Sequence, residues 1–533
     1  MFFFLSIFLL FFSWLNFSFT EKVDFDNKEI EDRFCYDATY SHLNLEILLS
    51  EKKIKGFNKM VFHSRCDINQ IVIDLTESMI VDSVYLAGEI IDFSRKKDKI
   101  LVKSDFSLND IFEVIVFYRG KPVISKNLPW EGGFVWENKL DSSTQVGVAC
   151  QMDGASIWWP NKDDLSDEVD SMRMSFIVEK PYSVISNGQL EGVRDLGMRK
   201  QFDWFVENPI NNYNITINVA EYEHFKHSFS GEGGDLNIDY HVLPMNVELA
   251  KVHFKQVDSV LRFLEKKFGP YPFYGDGYKL VETSYLGMEH QSCISYGNRY
   301  KKGYLGHFPS NIDFDFIIFH ETAHEWWGNS VSMKDRSDMW IHESFTTYSE
   351  VLYTEEIYGY QKMLIYLAAQ KAKILNKEPI VTDNPTTTDI YYKGSWMIHT
   401  LRTIFQNDIL WENVMRGLQL EFKHDVVNTS DIIQYIQTYI DYDLTYFFQQ
   451  YLYEAELPIL NYFISKKGKQ YFLNFRWDAI SGFDMPILVS SDKKNYQWIY
   501  PNNIWQKVDL GLIDLNDFKI ADHLFLFDIL KVE

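Results

Sequence analysis

The chain has 533 residues, too many for one hydrophobic core, so about two to four domains are expected. Its 46% hydrophobic and 24% charged content is that of a globular protein, and 42 Phe and 32 Tyr can fill a large interior. With 52 basic against 75 acidic residues the net charge is −23, which excludes a nucleic-acid partner for want of cations to neutralise phosphates; the acidity reads as solubility.

Phe2 to Phe19 is uncharged and rich in Phe, Leu and Ile, and Glu21 and Lys22 end the run. It reads as a secretory signal, although no Lys or Arg precedes it and no small-x-small cleavage site stands out. A retained membrane anchor is the alternative, since the run approaches spanning length. Export is expected in both cases (periplasmic, extracellular or membrane-anchored), and residues 1–20 are set apart from the fold. Cys35, Cys66, Cys150 and Cys293 form no CxxC pair, so a cysteine zinc site is unsupported. After export they could form disulfides, with three connectivities open.

Residues from about 36 to 222 read as strands. Leu43, Leu45, Ile47 and Leu49 alternate with His42, Asn44, Glu46 and Leu48. Ile71 to Ile73, Val84 to Leu86 and Asn214 to Val219 are further short runs. Ser230 to Gly234 marks a turn between two strands, after which a helical period takes over. Ala250, Phe254, Val257, Leu261, Leu264 and Phe268 form one apolar stripe, stopped at Gly269-Pro270. Strand signal returns over Tyr278 to Glu282, and most of Asn311 to Leu452 reads as helix. After Pro458 strands return, Ile459 to Ile464 and Tyr471 to Trp477, around a turn at Lys467-Gly468. The expected divisions are an N-terminal β domain over 21–222, a catalytic domain over 223–455 and a small C-terminal β domain over 456–533.

His320-Glu321-Thr322-Ala323-His324 carries the chemistry. On a helix, positions i and i+4 share a face, so His320 and His324 present two nitrogens to one metal, with Glu321 placed as a general base. Asn311 or Asp313 is a candidate cap for that helix and Gly328-Asn329 a candidate end, which puts the pair mid-helix. Glu343, on the next helix, is the third ligand; two histidines and a glutamate leave a fourth zinc position open, as a catalytic site needs.

These residues, with their surroundings, resemble the aminopeptidase N family of zinc metallopeptidases, whose signature is HExxH, eighteen residues, then Glu. His324-Glu325-Trp326-Trp327-Gly328-Asn329 is similar to the family's H-x-W-x-G-N, and Asp338-Met339-Trp340 precedes the third ligand as it does there. Gly287-Met288-Glu289-His290 resembles the G-x-M-E-N exopeptidase motif. The resemblance makes Glu289 the ligand of a substrate α-amine, with Gly287 and Met288 lining the substrate; His290 departs from the usual Asn. Tyr391-Tyr392-Lys393-Gly394 resembles Y-x-K-G, which implies that Tyr391 stabilises the oxyanion, with Tyr392 as the rival by adjacency. Cys150 to Asp163, with Trp158-Trp159-Pro160, resembles the strand and loop that close the site from the N-terminal domain and places Gln151 as a second amine-binding residue.

The implied fold is multidomain α+β: a β-sandwich or saddle-like N-terminal domain, a thermolysin-like and mostly helical catalytic domain, and a small C-terminal β domain. The long helical C-terminal domain of larger members has no counterpart in the roughly 75 residues after Pro458, which leaves a more open site or oligomerisation as readings. The implied activity is zinc-dependent removal of N-terminal residues from peptides, with one Zn2+ per chain. An endopeptidase, an epoxide hydrolase or a non-catalytic scaffold of the same fold are the alternatives.

Overall fold

The structure, a computed structural model, describes residues 33–138, 144–309, 311–383 and 385–532. The apolar run Phe2–Phe19 lies outside the described residues.

The N-terminal part is built on an eight-stranded sheet. Its strands run in the order 189–195, 199–206, 171–179, 36–48, 53–64, 111–120, 79–86 and 89–91. Tyr36–Leu48 pairs parallel with Ser171–Glu179 and antiparallel with Lys53–Ser64. Along it Leu43, Leu45 and Ile47 point into the core while their neighbours face outward, as the period of two requires. A four-stranded sheet (183–185, 218–220, 144–149, 133–138) and a three-stranded one (68–74, 99–106, 94–96) pack around a shared core with Trp158 and Trp159. One disulfide, Cys35–Cys66, ties the start of the first long strand to the end of the second. Cys150 and Cys293 are free and buried.

The segment Asn214–Val219, expected as a strand, is one only over Asn218–Ala220; Asn212–Asn214 is a short 3-10 turn. Side chains take the bonds a ladder would need, as Asn187 Oδ1 accepts the Thr216 N–H at 2.9 Å.

The catalytic part opens with a five-stranded sheet in the order 223–231, 234–242, 278–282, 294–296 and 287–288. Gly287–Met288 is therefore an edge strand, paired on one side only with Ser295 and Tyr296. Helices α1 (Val247–His253) and α2 (Val257–Phe268) follow, and all six residues of the apolar stripe are exposed by 1% or less. Such burial contributes about 1.5–3 kcal/mol for each large side chain. Gly269, at φ 102°, ends α2 in a conformation that favours glycine. The remaining helices are α3 (Phe316–Ala323), α4 (Trp340–Tyr358), α5 (Tyr360–Lys371), α6 (Asp389–Phe405), α7 (Asp408–Glu421), α8 (Thr429–Gln437) and α9 (Thr445–Tyr453).

The cap of α3 is Asp315, not Asn311 or Asp313. Its Oδ1 accepts from Ile317 N at 2.9 Å and Ile318 N at 3.2 Å. Asp313 instead pairs with Lys302 at 2.6 Å, and Asn311 sits at φ 63°. The helix also ends sooner than Gly328-Asn329: Ala323 is its last residue and His324 its C-cap.

Strands 506–511, 470–478, 459–467 and 528–531 form one C-terminal sheet, and 496–499, 487–490 and 519–520 another. Phe475 and Trp477 of these strands, with Phe525 and Phe527 from the segment before the last one, belong to the same continuous core as the helices.

The Asp315 carboxylate also accepts from Tyr296 OH at 2.7 Å and Asn298 Nδ2 at 2.8 Å, and faces His253 Nε2 at 2.7 Å. Asp315→Ala removes a cap worth about 1 kcal/mol and strands buried donors at about 1–3 kcal/mol. Urea unfolding is expected to show a loss of roughly 2–4 kcal/mol.

Candidate metal and active site

Helix α3 carries the buried His320 and Glu321, and the helical backbone of its cap (φ −63°, ψ −20°) keeps His324 on the same face. Helix α4 supplies Glu343 from its first turn. His320 Nε2 lies 3.2 Å from His324 Nε2, and Glu343 Oε2 lies 3.5 Å from each. A tetrahedral ion with ligand bonds of 2.0–2.1 Å separates its donor atoms by roughly 3.3 Å. The three atoms therefore sit at the corners such an ion requires. Glu343 Oε2 is buried without a hydrogen-bond partner among the described residues, so the donor set fits a zinc ion.

The other ring nitrogens are committed elsewhere. His320 Nδ1 meets Glu350 Oε1 at 2.7 Å, and Tyr366 OH donates to Glu350 Oε2 at 2.5 Å. His324 Nδ1 meets the Trp327 carbonyl at 2.8 Å. These contacts orient the rings so that both Nε2 atoms face inward. Burial works against protonating His320, yet the Glu343 and Glu350 carboxylates beside it outweigh that and hold the imidazole well above its ordinary pKa. Burial raises Glu343, but the two imidazoles beside it, His324 first, hold that carboxyl well below the usual range.

Glu321 is buried beside the triad; burial pushes its carboxyl up to about 7, with His320 and His324 opposing. A Cβ on Gly287 would lie 2.7 Å from Glu321 Oε1 and from Ile317 Cγ2, so only glycine lets the edge strand lie this close to the base. Met288 is buried beside it. Glu289 is 4% exposed, and its Oε1 accepts from Gln151 Nε2 at 2.6 Å and from Tyr213 OH at 3.4 Å. Glu289, Glu321 and His324 offer ligand atoms within 4.8 Å of one another, so the amine-binding candidate adjoins the His324 side of the triad. Asn329 Nδ2 holds the Glu289 carbonyl at 2.8 Å. His290 is wholly buried, with Nδ1 3.2 Å from Ser295 Oγ, and burial pushes it down to about 3.

Tyr391 lies over His320, ring centroids 6.2 Å apart, and burial first, then Glu343, Glu289 and Glu321, push its phenol well above the ordinary value. Tyr392 turns away to Lys373, whose Nζ donates to its OH at 3.1 Å. Gly394 explains part of this motif: a Cβ there would meet Ser344 Oγ at 1.8 Å, where α6 crosses α4 one residue from Glu343. Lys393 is buried and donates to the Glu454 and Ala455 carbonyls.

The structure thus brings together all nine residues singled out in the sequence. Those that sequence reasoning missed are Glu350, Tyr366, Tyr213 and Asn329. Glu350 carried a signal, since it lies two helical turns after Glu343 on the same face of α4; Tyr213 and Tyr366 carried none.

Residues 253–451 match the peptidase family M1 domain. The chain is 24% identical over 274 residues to aminopeptidase N of Lactobacillus helveticus, covering 45% of this chain and 32% of that protein. It is 20% identical over 435 residues to a leucyl aminopeptidase of Saccharolobus solfataricus, covering 78% and 53%. It therefore spans about a third to a half of the length of these relatives. Among solved structures, an M1 zinc metallopeptidase from Deinococcus radiodurans superimposes with a TM-score of 0.68 at 18% identity, covering 79% of this chain and 95% of that one. A mutant of that enzyme bound to a Tyr-Ser-Ala substrate gives 0.67. The resemblance to the aminopeptidase N family and the multidomain α+β fold are borne out.

Outer contacts of this kind set metal affinity, their loss weakening it about 10–100-fold. Glu350→Gln is expected to lower zinc affinity by about that factor, and Tyr366→Phe by a smaller one, as read by competition with a fluorescent chelator.

Proposed function

We propose that this chain, a member of the aminopeptidase N family of zinc metallopeptidases, is an aminopeptidase that removes N-terminal residues from peptides. One observation carries the reading: a hydrogen-bonded carboxylate–amide pair, Glu289 and Gln151, stands beside a three-donor metal set. A group that binds a free amine beside the metal places the first peptide bond, and no later one, at the reacting position.

His320, His324 and Glu343 would hold the ion. Zinc bound there would supply Lewis acidity, bringing the pKa of a water down to about 7 and polarising a carbonyl. Glu321 takes the proton of the attacking water and passes it to the leaving amine. The Tyr391 phenol keeps its proton and donates to the developing oxyanion, a contribution of about 3 kcal/mol. Glu289 binds the α-ammonium by charge, and Gln151, its amide nitrogen already bonded to Glu289, turns its carbonyl oxygen to the same group. The edge strand Gly287–Met288 offers unpaired backbone groups to an extended substrate. The apolar run Phe2–Phe19 and the Cys35–Cys66 disulfide support export to an oxidising compartment, with the run cleaved as a signal or kept as an anchor.

Glu321→Gln is expected to keep zinc, measured by metal analysis, while turnover of aminoacyl fluorogenic substrates falls by about 10²–10⁴-fold. Glu289→Ala is expected to raise KM and lower kcat for peptides with a free N-terminus and to leave N-acetylated peptides uncleaved. Unchanged kinetics in that variant would remove the exopeptidase reading.

A further inference from the structure

Glu289 receives two side-chain hydrogen bonds from the N-terminal part, and both end on the same oxygen. Gln151 Nε2 donates to its Oε1 at 2.6 Å, and Tyr213 OH donates to its Oε1 at 3.4 Å. Gln151 follows the strand 144–149, and Tyr213 is the middle residue of the 3-10 turn Asn212–Asn214. The two segments are tied to each other, since Cys150 Sγ donates to the Tyr213 carbonyl at 3.6 Å. The turn is anchored behind by Asn212, whose Nδ2 donates to the Lys162 carbonyl at 2.7 Å. Tyr213 itself is 1% exposed, so packing fixes the direction of its hydroxyl.

The next residue grips the same segment by its main chain. Asn214 Oδ1 accepts from Gln291 N at 3.2 Å. Asn214 Nδ2 donates to Asn329 Oδ1 at 3.0 Å, and Asn329 Nδ2 donates to the Glu289 carbonyl at 2.8 Å. In a strand, Tyr213 and Asn214 would point to opposite faces of the sheet. The turn that replaces the expected strand lets consecutive residues serve one target, Tyr213 the Glu289 carboxylate and Asn214 its backbone.

We propose that Tyr213 is a positioning residue for the amine site: its hydroxyl and the Gln151 amide hold Oε1 of Glu289 and so turn Oε2 to the substrate's α-ammonium. The inference rests on the aminopeptidase reading. A glutamate free to rotate loses that freedom when it takes up an ammonium, whereas one held by two donors has lost it already on folding. The Tyr213 contact is longer than an ordinary O–H···O bond and is expected to shorten in the substrate complex, as such contacts do.

The test uses the full zinc-loaded chain and two metal-binding probes, phenylalanine hydroxamate and 3-phenylpropanohydroxamate, which differ only in the α-amine. Calorimetric titration of the parent is expected to show the amine tightening Kd by about 10–100-fold. Tyr213→Phe, which removes only the hydroxyl, should cut that gain by roughly fivefold or more and leave the Kd of the amine-free probe within about twofold of the parent. Its kcat/KM for a free-amine peptide should fall in step. An unchanged gain in Tyr213→Phe would overturn the proposal, and so would equal losses for both probes, which mark a merely structural role. Either result leaves the aminopeptidase reading standing. No gain from the amine in the parent would overturn both.

Discussion

Three electron-pair donors held 3.2–3.5 Å apart in a dry interior are the constraint on which the rest of the molecule depends. Each has given up water to be there, a cost that a cation between them would offset. The surrounding architecture makes that tolerable. Asp315 starts the helix that carries two of them, Glu350 and the Trp327 carbonyl turn the rings, and Gly394 lets α6 approach α4 where the third is rooted. Each of these contacts is buried and directional, so the site is held ready rather than assembled on binding.

The N-terminal part is bound into the site by apolar packing, since Val281, Tyr285, Met288 and Cys293 share its core, and by a chain of directed polar contacts. Asn187 donates to the Asn214 and Gln291 carbonyls at 2.9 and 2.7 Å, and Asn214 donates to Asn329 Oδ1 at 3.0 Å. Asn329 in turn holds the Glu289 carbonyl, and Glu325 accepts from Ser292 N at 2.8 Å. The segment that carries the Glu289 carboxylate is thus clamped between both parts of the chain. Directional bonds of this sort fix position, while the hydrophobic effect fixes only burial.

The residues proposed as metal ligands, base and amine site were legible in the sequence because their spacing is local: His320, Glu321 and His324 span one helical turn, and Glu343 begins the next long helix. The stripe from Ala250 to Phe268 and the alternation from Leu43 to Ile47 were legible for the same reason, since each side chain's fate follows from its neighbours' periodicity. The helix cap was misplaced because Asn311, Asp313 and Asp315 are equally good caps in isolation. Their tertiary partners decide among them: Lys302 claims Asp313, and His253, Tyr296 and Asn298 claim Asp315. Asn214 to Val219 misled for a related reason, since β-branched residues there were outbid by asparagine side chains folded in from elsewhere. Tyr366 and Tyr213 act over sequence separations that no pattern encodes.

Helix α6 carries Tyr391 at its first turn and meets, further along, the segment just before the last C-terminal strand. Leu526 N donates to Thr400 Oγ1 of α6 at 2.9 Å, and from α5 the Lys371 ammonium reaches the Phe527 carbonyl at 3.4 Å. Tyr451, from α9, donates to the Leu526 carbonyl. A segment about 130 residues downstream of the phenol (526 against 391) therefore acts as its backstop. Loosening that segment would tilt α6 and blunt the enzyme while every residue around the metal remained in place, so damage to the C-terminal sheet would register as lost turnover before it registered as lost zinc.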